Sequence, residues 1–465
     1  MKRINYIILL AFLSSCQKYV DIQKTSTQSL IETANDCQLV IDNYKLFNAD
    51  YPYDGAYSSD DYYVSAETYN DEGTSIEDRS IYGWEPNAIR QGSDQWLNAY
   101  RKIYHTNLVL ETVAKLKGKE EAGTLDNLQG EALFLRAYAL WNLAQLYIEA
   151  YDASTTSAPG LPIHLKSDIN DVPGRGSVKD TYSRIVTDLK DAATLLKETS
   201  SVPSRPVKAA AYAMLARVYL SMEDYVAAGD AANSALKLTN TLMDYNTGDV
   251  SKSPFTNTPF KRYNKEVIFQ SILAANTLLS SGNPVFNAAK ISNDLVDAYD
   301  DKDLRKQVYF KPNEEQNEGT FRFTGNYEPT SSSTLFNGLA VDELYLVRAE
   351  CYARAGNVSA AMDDLNTLLR TRWETGAYTD MSAADAEEAL VKVLIERRKE
   401  LVMRAQRWTD LRRLNKDPRF RTDLQRSVEV EGVPKTFNLP AGDSRYTLLI
   451  PQEVIANSAI PQNQR

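Results

Sequence analysis

Two stretches of the chain share one register of apolar and polar positions. "KAAAYAMLARVYLSMEDYVAAGDAANSALKL" and "DELYLVRAECYARAGNVSAAMDDLNTLLRTR" align at a constant offset that pairs Ala216 with Ala349, Tyr219 with Tyr352, Asp224 with Asn357, Ala228 with Ala361 and Leu236 with Leu369. Apolar side chains recur every three or four residues, and the polar break at Asp224 or Asn357 splits each stretch, so each predicts an antiparallel helix pair. A third pair is predicted in split form. "GEALFLRAYALWNLAQLYIEAYD" places Ala144 and Tyr147 where Ala216 and Tyr219 stand, and "SVKDTYSRIVTDLKDAATLLKE" is its partner after an insertion holding Pro159, Pro162 and Pro173. In that partner Tyr182, Ile185, Leu189, Ala192 and Leu196 form one stripe, and a further helix is predicted from Trp96 to Leu116. These stripes read as core packing rather than ligand contacts.

Elsewhere the period fails. Residues 51–95 are rich in Tyr, Asp, Ser and Gly, and residues 240–337 mix polar loops and Pro with short β-like runs such as "EVIFQSIL" and "TFRFTGNY". The pattern therefore predicts a mainly α protein, its repeat helices in 96–240 and 338–415, with a loop-rich, small-β face where ligand binding is expected. The helix pairs resemble the tetratricopeptide pattern, with Leu368 departing where a second small residue is usual. Their offset is not a multiple of about 34 residues, so they are not one uninterrupted array in sequence.

The first residues read as a targeting signal. Lys2 and Arg3 precede an apolar run from Ile4 to Leu13, too short to span a bilayer, which needs roughly 20 apolar residues. The Leu13-Ser14-Ser15 approach to Cys16 resembles a bacterial lipobox. Residues 1–15 are then removed, Cys16 is acylated, and residues 16–465 form a tethered body in water. The formal net charge of −10 becomes −12 without Lys2 and Arg3, which disfavours nucleic acid as a partner. Cys37 and Cys351 read as buried thiols rather than a bridge.

Catalytic patterns are missing. His105 and His164 lack metal-ligand spacing, and there is no phosphate-cradling glycine loop and no nucleophile elbow. A glycosidase carboxylate pair stays open, because two carboxylates about 5 to 9 Å apart in a cleft leave no mark in sequence. Asn70, Asp71 and Glu72 lack EF-hand spacing and read as a solvated turn. "ERRKELVMRAQRWTDLRRL" reads as a salt-bridged helix.

Several stretches in order, "GEALFLRAYALWNL", "SVKDTYSRIVTDL", "RPVKAAAYAMLARVYL", "DELYLVRAECYARAG", "ERRKEL" with "RWTDLRRL", and "LLIPQEVIANSAIPQN", resemble the SusD/RagB family of nutrient-uptake lipoproteins. The resemblance implies a SusD-like body, lipid-anchored in the outer membrane and facing the cell surface, that sits as a lid on a SusC-like TonB-dependent transporter. It implies capture of glycans or oligopeptides without catalysis and without a cofactor. Arg404 and Ala405 depart from the family's usual Glu and Gly, the usual Gly-Tyr ending is missing, and the segment behind Cys16 has one acidic residue where surface-export signals are often acid-rich. A RagB-like oligopeptide binder and a surface glycan hydrolase are the alternatives to a glycan binder.

Seven of the 28 Tyr fall between residues 51 and 82, in a stretch too polar to be an obvious core. A sugar ring needs a flat aromatic surface and polar groups around it. The expected ligand platform is Tyr82 and Trp84 with Tyr62 and Tyr63, the acceptors are Asp60 and Asp61, and Phe323 and Tyr327 form an opposite wall. On this expectation Trp84→Ala weakens ligand binding and leaves the fold intact.

Overall fold

The protein is described by a computed structural model covering residues 31–330 and 332–465; Cys16 lies outside the described residues. Ten helices of eight residues or more are found among them. These are α1 (Ala34–Ile41), α2 (Asp94–Leu116), α3 (Ala122–Tyr147), α4 (Val178–Leu195), α5 (Lys208–Ser221), α6 (Tyr225–Leu238), α7 (Val341–Arg354), α8 (Val358–Leu369), α9 (Ala386–Glu400) and α10 (Arg407–Leu414).

Each of α2 to α8 packs on the next in chain order, and α9 also packs on α7. The two equivalent pairs, α5/α6 and α7/α8, start their second helices identically. Asp224 and Asn357 each accept the backbone N–H three residues on, from Ala227 and Ala360, at 3.1 and 3.2 Å, satisfying a donor the helix leaves orphaned. Ala216, Ala349, Ala228, Ala361, Leu236 and Leu369 are all buried, as the stripes predict. The split pair α3/α4 is also formed, and Ser177 closes α4 with a capping box to Asp180.

Although about a hundred residues separate α6 from α7, the two helices are neighbours in space. A Cβ on Gly229 of α6 would lie 3.2 Å from the Cβ of Cys351 on α7, so two small residues allow this close approach. The array is interrupted in sequence and continuous in space, with residues 239–340 looped out from it.

Among the described residues there are five two-stranded antiparallel sheets, three of which hold looped-out material. They pair 62–63 with 290–291, 159–162 with 175–177, 267–269 with 339–340, 310–312 with 321–323, and 424–430 with 433–439. Residues 51–95 are more helical than expected, with short helices at Asp54–Tyr57, Ala66–Asn70 and Ile76–Tyr82. One apolar core runs through the helices and these segments alike, and a second, smaller core lies around α7, α8 and α9.

The basic run at 396–414 is not one helix. It is the end of α9, a turn, and α10, and its charges are tied down by ion pairs reaching across the fold. Arg397 and Arg413 share Asp410, Arg413 also clamps Glu350 of α7, and Arg404 pairs with Asp342 at 3.1 Å. Within the turn Met403 and Ala405 hold φ of 56° and 58°, the left-handed region that costs an L-residue roughly 1 kcal/mol. Ala405→Gly is therefore expected to stabilise the protein by about 0.5–1 kcal/mol, read as a higher urea midpoint at unchanged slope.

Candidate ligand-binding face

The aromatic residues expected as a platform are packed inside. Trp84 is 4% exposed and Tyr82 1%. Arg426, at an inward position of strand 424–430, lies between them, its guanidinium carbon 3.9 Å from the Tyr82 ring centre, 4.4 Å from Trp84 and 5.3 Å from Tyr62. It donates to the carbonyls of Tyr57, Tyr82 and Ser59. The hydroxyl and indole groups are spent internally. Tyr62 donates to Tyr57 O at 3.1 Å, Tyr82 Oη accepts from Val64 N at 3.1 Å, and the Trp84 indole donates to Ser58 O at 3.0 Å. The exposed platform at Tyr62, Tyr82 and Trp84 is thus corrected to an arginine cage that fastens the 51–84 segment to the body. A stretch rich in Tyr can look polar and still be core, because buried hydroxyls such as those of Tyr51, Tyr57, Tyr62 and Tyr82 find partners inside.

The expected acceptors are engaged too. Asp60 takes Arg407 Nε at 2.6 Å and Arg398 at 3.0 Å. Burial alone would raise its carboxyl, but Arg407 and Arg398 outweigh that and hold it well below the usual range. Asp61 is buried and accepts from Met403 N at 3.2 Å; burial, with Asp60 beside it, pushes its carboxyl up to about 6. The opposite wall is also interior. Tyr327 donates to Glu266 at 2.7 Å beneath Arg404, and Phe323 is buried near Tyr309. Of the eight expected ligand residues Tyr63 and Asp60 are half-buried and the other six are buried. Tyr63 lies opposite Lys290 in a strand pair.

That strand pair leads to the face that does present aromatics. Strand 290–291 packs against strand 321–323 of the hairpin 310–323, and two loops are pinned to this hairpin. Lys311 Nζ donates to Ser253 O at 3.1 Å, and Arg322 donates to Asn257 Oδ1 at 2.8 Å, holding the first loop. Asn317 donates to Val285 O at 2.7 Å, Glu314 N to Pro284 O at 2.9 Å, and Asn287 to Asn313 at 2.9 Å, holding the second. The second loop closes tightly at Gly282, φ 46°, where a Cβ would sit 1.9 Å from Phe286 O.

These braced loops carry Phe255, 93% exposed, and Phe286, 71% exposed. Burying such a ring contributes roughly 1.5–3 kcal/mol, so two of them held outward on one hairpin forgo that stabilisation. Beneath these loops the side chains of Asn257, Asn283, Asn287, Asn313 and Asn317 are engaged in the bracing hydrogen bonds, and the cations Lys290, Lys311 and Arg322 are buried. Burial lowers the pKa of each of these three cations, and none forms an ion pair among the described residues. Exposed aromatic faces held on braced loops suit a polyhydroxylated ligand, whose C–H faces stack on such rings. The sequence signal was present at "SGNPVFNAA", a large apolar residue in a Gly, Asn and Pro setting with no period to bury it.

Hollows also occur away from this face. One of about 410 Å³ lies between α2 and the 162–173 loop, and one of about 810 Å³ beside Arg412, Tyr446 and residues 461–464. Among the described residues no cluster of three metal-ligating side chains occurs, and no helix is long and apolar enough to cross a membrane.

Two family models match the chain. One, described as starch-binding associating with outer membrane, matches residues 18–220, and one described as SusD family matches residues 341–454. Solved structures share the architecture across nearly the whole chain. A SusD superfamily protein from Bacteroides thetaiotaomicron is 22% identical with a TM-score of 0.71, covering 93% of this chain and 100% of that one. A SusD-like carbohydrate binding protein from Bacteroides vulgatus is 18% identical with a TM-score of 0.68, covering 92% and 97%. A SusD superfamily protein from Bacteroides fragilis is 20% identical with a TM-score of 0.69, covering 93% and 99%. No curated protein matches the sequence. With its ordered motifs, both family matches and this shared fold, the chain belongs to the SusD/RagB family.

Proposed function

We propose that this protein is a non-catalytic glycan-capture lipoprotein of the outer membrane, anchored through Cys16, which passes its ligand to a SusC-like TonB-dependent transporter. The observation that carries the glycan reading is the pair of outward aromatic rings, Phe255 and Phe286, on loops braced by one hairpin. The relative named as carbohydrate binding and the description of the matching family model support the same ligand class. Anchoring and transporter docking rest on the family resemblance and on the Leu-Ser-Ser-Cys motif at the chain start.

The test is an array of immobilised polysaccharides, with chromatography of whatever is released. A bound and uncleaved glycan is expected. Phe286→Ala and Phe255→Ala are each expected to weaken binding about thirtyfold, the effect of losing a hot-spot aromatic, while thermal melting stays within about 1 °C of wild type because neither ring is packed. Cleaved product would replace this reading with a glycan hydrolase, and retention of oligopeptides alone would replace it with a RagB-like peptide binder.

A further inference from the structure

A hollow of about 560 Å³ lies between α1, the chain following it to Asp50, and one face of α2. Its volume falls within the range of small-ligand sites. On α2 it is lined by Asn98, Arg101, Lys102 and His105, positions that share one helical stripe. Lys102 is 2% exposed, yet among the described residues it makes no hydrogen bond and no ion pair; its one contact of note is with the Tyr51 ring, 4.7 Å from the ammonium. His105 Nδ1 is likewise buried without a partner.

The nearby carboxylates are already committed. Asp50 pairs with the exposed Lys45 at 2.7 Å, and Asp36 accepts the backbone N–H groups of Glu32 and Thr33 at the start of α1. Arg101 bonds only the neutral Asn98 side chain, at 3.0 Å. Lys45, Arg101 and Lys102 thus outnumber Asp36 and Asp50 by one positive charge. Leu39, Val40 and Leu46 supply an apolar wall facing this charge. A buried ammonium without a counter-ion costs stability, and here it lines an open cavity instead of filling the core.

We propose that this hollow is a second ligand site, independent of the Phe255/Phe286 face, which binds a singly charged carboxylate carried on a small organic body. The carboxylate sits on Lys102 between Arg101 and His105, and the body lies along Leu39, Val40 and Leu46. The electrostatics support it. Burial pushes the Lys102 ammonium down to about 7, with Asp50 acting to raise it and Arg101 and Lys45 to lower it; burial and Arg101 keep His105 below its usual value. A bound carboxylate stabilises the charged ammonium, so binding takes up a proton.

Isothermal titration calorimetry with D-glucuronate, acetate and D-glucose tests the site on wild type, Lys102→Met and Arg101→Gln. Lys102→Met keeps most of the unbranched side chain and removes a buried charge, so it is expected to fold and to melt higher than wild type at neutral pH. Glucuronate is expected to bind saturably to wild type, to weaken about tenfold or more in Lys102→Met, and to weaken about tenfold from pH 6 to pH 8 as Lys102 loses its proton. Arg101→Gln should weaken it less. Acetate matching glucuronate would support the site and assign it to a free carboxylate, whereas glucuronate well above acetate assigns it to an acidic sugar. Absent saturable binding of either acid, equal binding of glucose, or unchanged affinity in Lys102→Met would each overturn the proposal. Phe255→Ala and Phe286→Ala should leave glucuronate binding untouched, which separates this site from the glycan face.

Discussion

Trp84→Ala is expected to destabilise the protein by about 3–5 kcal/mol, the cost of removing a fully packed aromatic side chain. The ring closes one side of the Arg426 cage, and its loss also strips Ser58 O of an indole donor. Trp84 itself holds φ of 50°, with its N–H on Ile81 O and its carbonyl accepting from Arg445 at 2.7 Å. A strained bulky residue persists only where the surroundings over-determine it. Urea unfolding measures the change. Trp84→Phe, which keeps most of the volume and loses the donor, should cost about 1 kcal/mol plus a modest cavity term. A Trp84→Ala protein within about 1 kcal/mol of wild type would mean that the ring is not part of the core.

Arg305→Met is expected to cost about 3–5 kcal/mol as well, because it removes the shared cation of three buried carboxylates and leaves Asp303 and Glu396 to Lys399 and Glu400 to Arg372. Arg305 is wholly buried and holds Asp303 at 2.6 and 2.9 Å, Glu396 at 2.6 Å and Glu400 at 3.0 Å, while Arg372 joins Glu400 to Glu266. This network ties α9 to the looped-out segment a few residues before the hairpin 310–323, so it positions the proposed ligand face. Burial acts to raise the Asp303 carboxyl, but Arg305 outweighs it and holds the group below 3.8. In wild type this carboxylate therefore contributes stability above pH 3.8 that is lost as pH falls through its lowered value. Without Arg305 the raising effect of burial on the Asp303 carboxyl is opposed chiefly by Lys399, so this group holds its proton to higher pH in the folded state and stability gains less as pH rises. The gap between variant and wild type should widen from about pH 4 to pH 7, a trend that thermal melts in a pH series read directly.

The helical half was legible because its determinants are local. Ala216 and Ala349 and Tyr219 and Tyr352 belong to stripes that repeat along single helices, and the caps Asp224 and Asn357 lie three residues from the N–H groups they accept. The 51–84 segment was misread because its partner is remote. Arg426 sits in a strand near the other end of the chain, and nothing in "SSDDYY" or "SIYGWEP" announces that a guanidinium will fill the space between the rings. Alternation in "LQRSVEV" places Arg426 inward with Leu424 and Val428, which marks a buried arginine without naming its cage. The basic run looked like one helix because no Gly or Pro punctuates it, yet Met403 and Ala405 turn the chain in left-handed conformations. Phe255 and Phe286 were passed over because isolated apolar residues on a surface are ordinary; bracing by a shared hairpin is visible only in three dimensions.

On this reading ligand is held by the hairpin-braced loops and not by the tyrosine-rich segment. Hydrogen exchange of the intact protein, with and without a saturating glycan selected on the array, measures this most directly. Slowed exchange is expected in residues 253–258, 283–291 and 310–323, with peptides from residues 51–84 unchanged. Protection confined to residues 51–84, or to the helices α5 to α8, would contradict it.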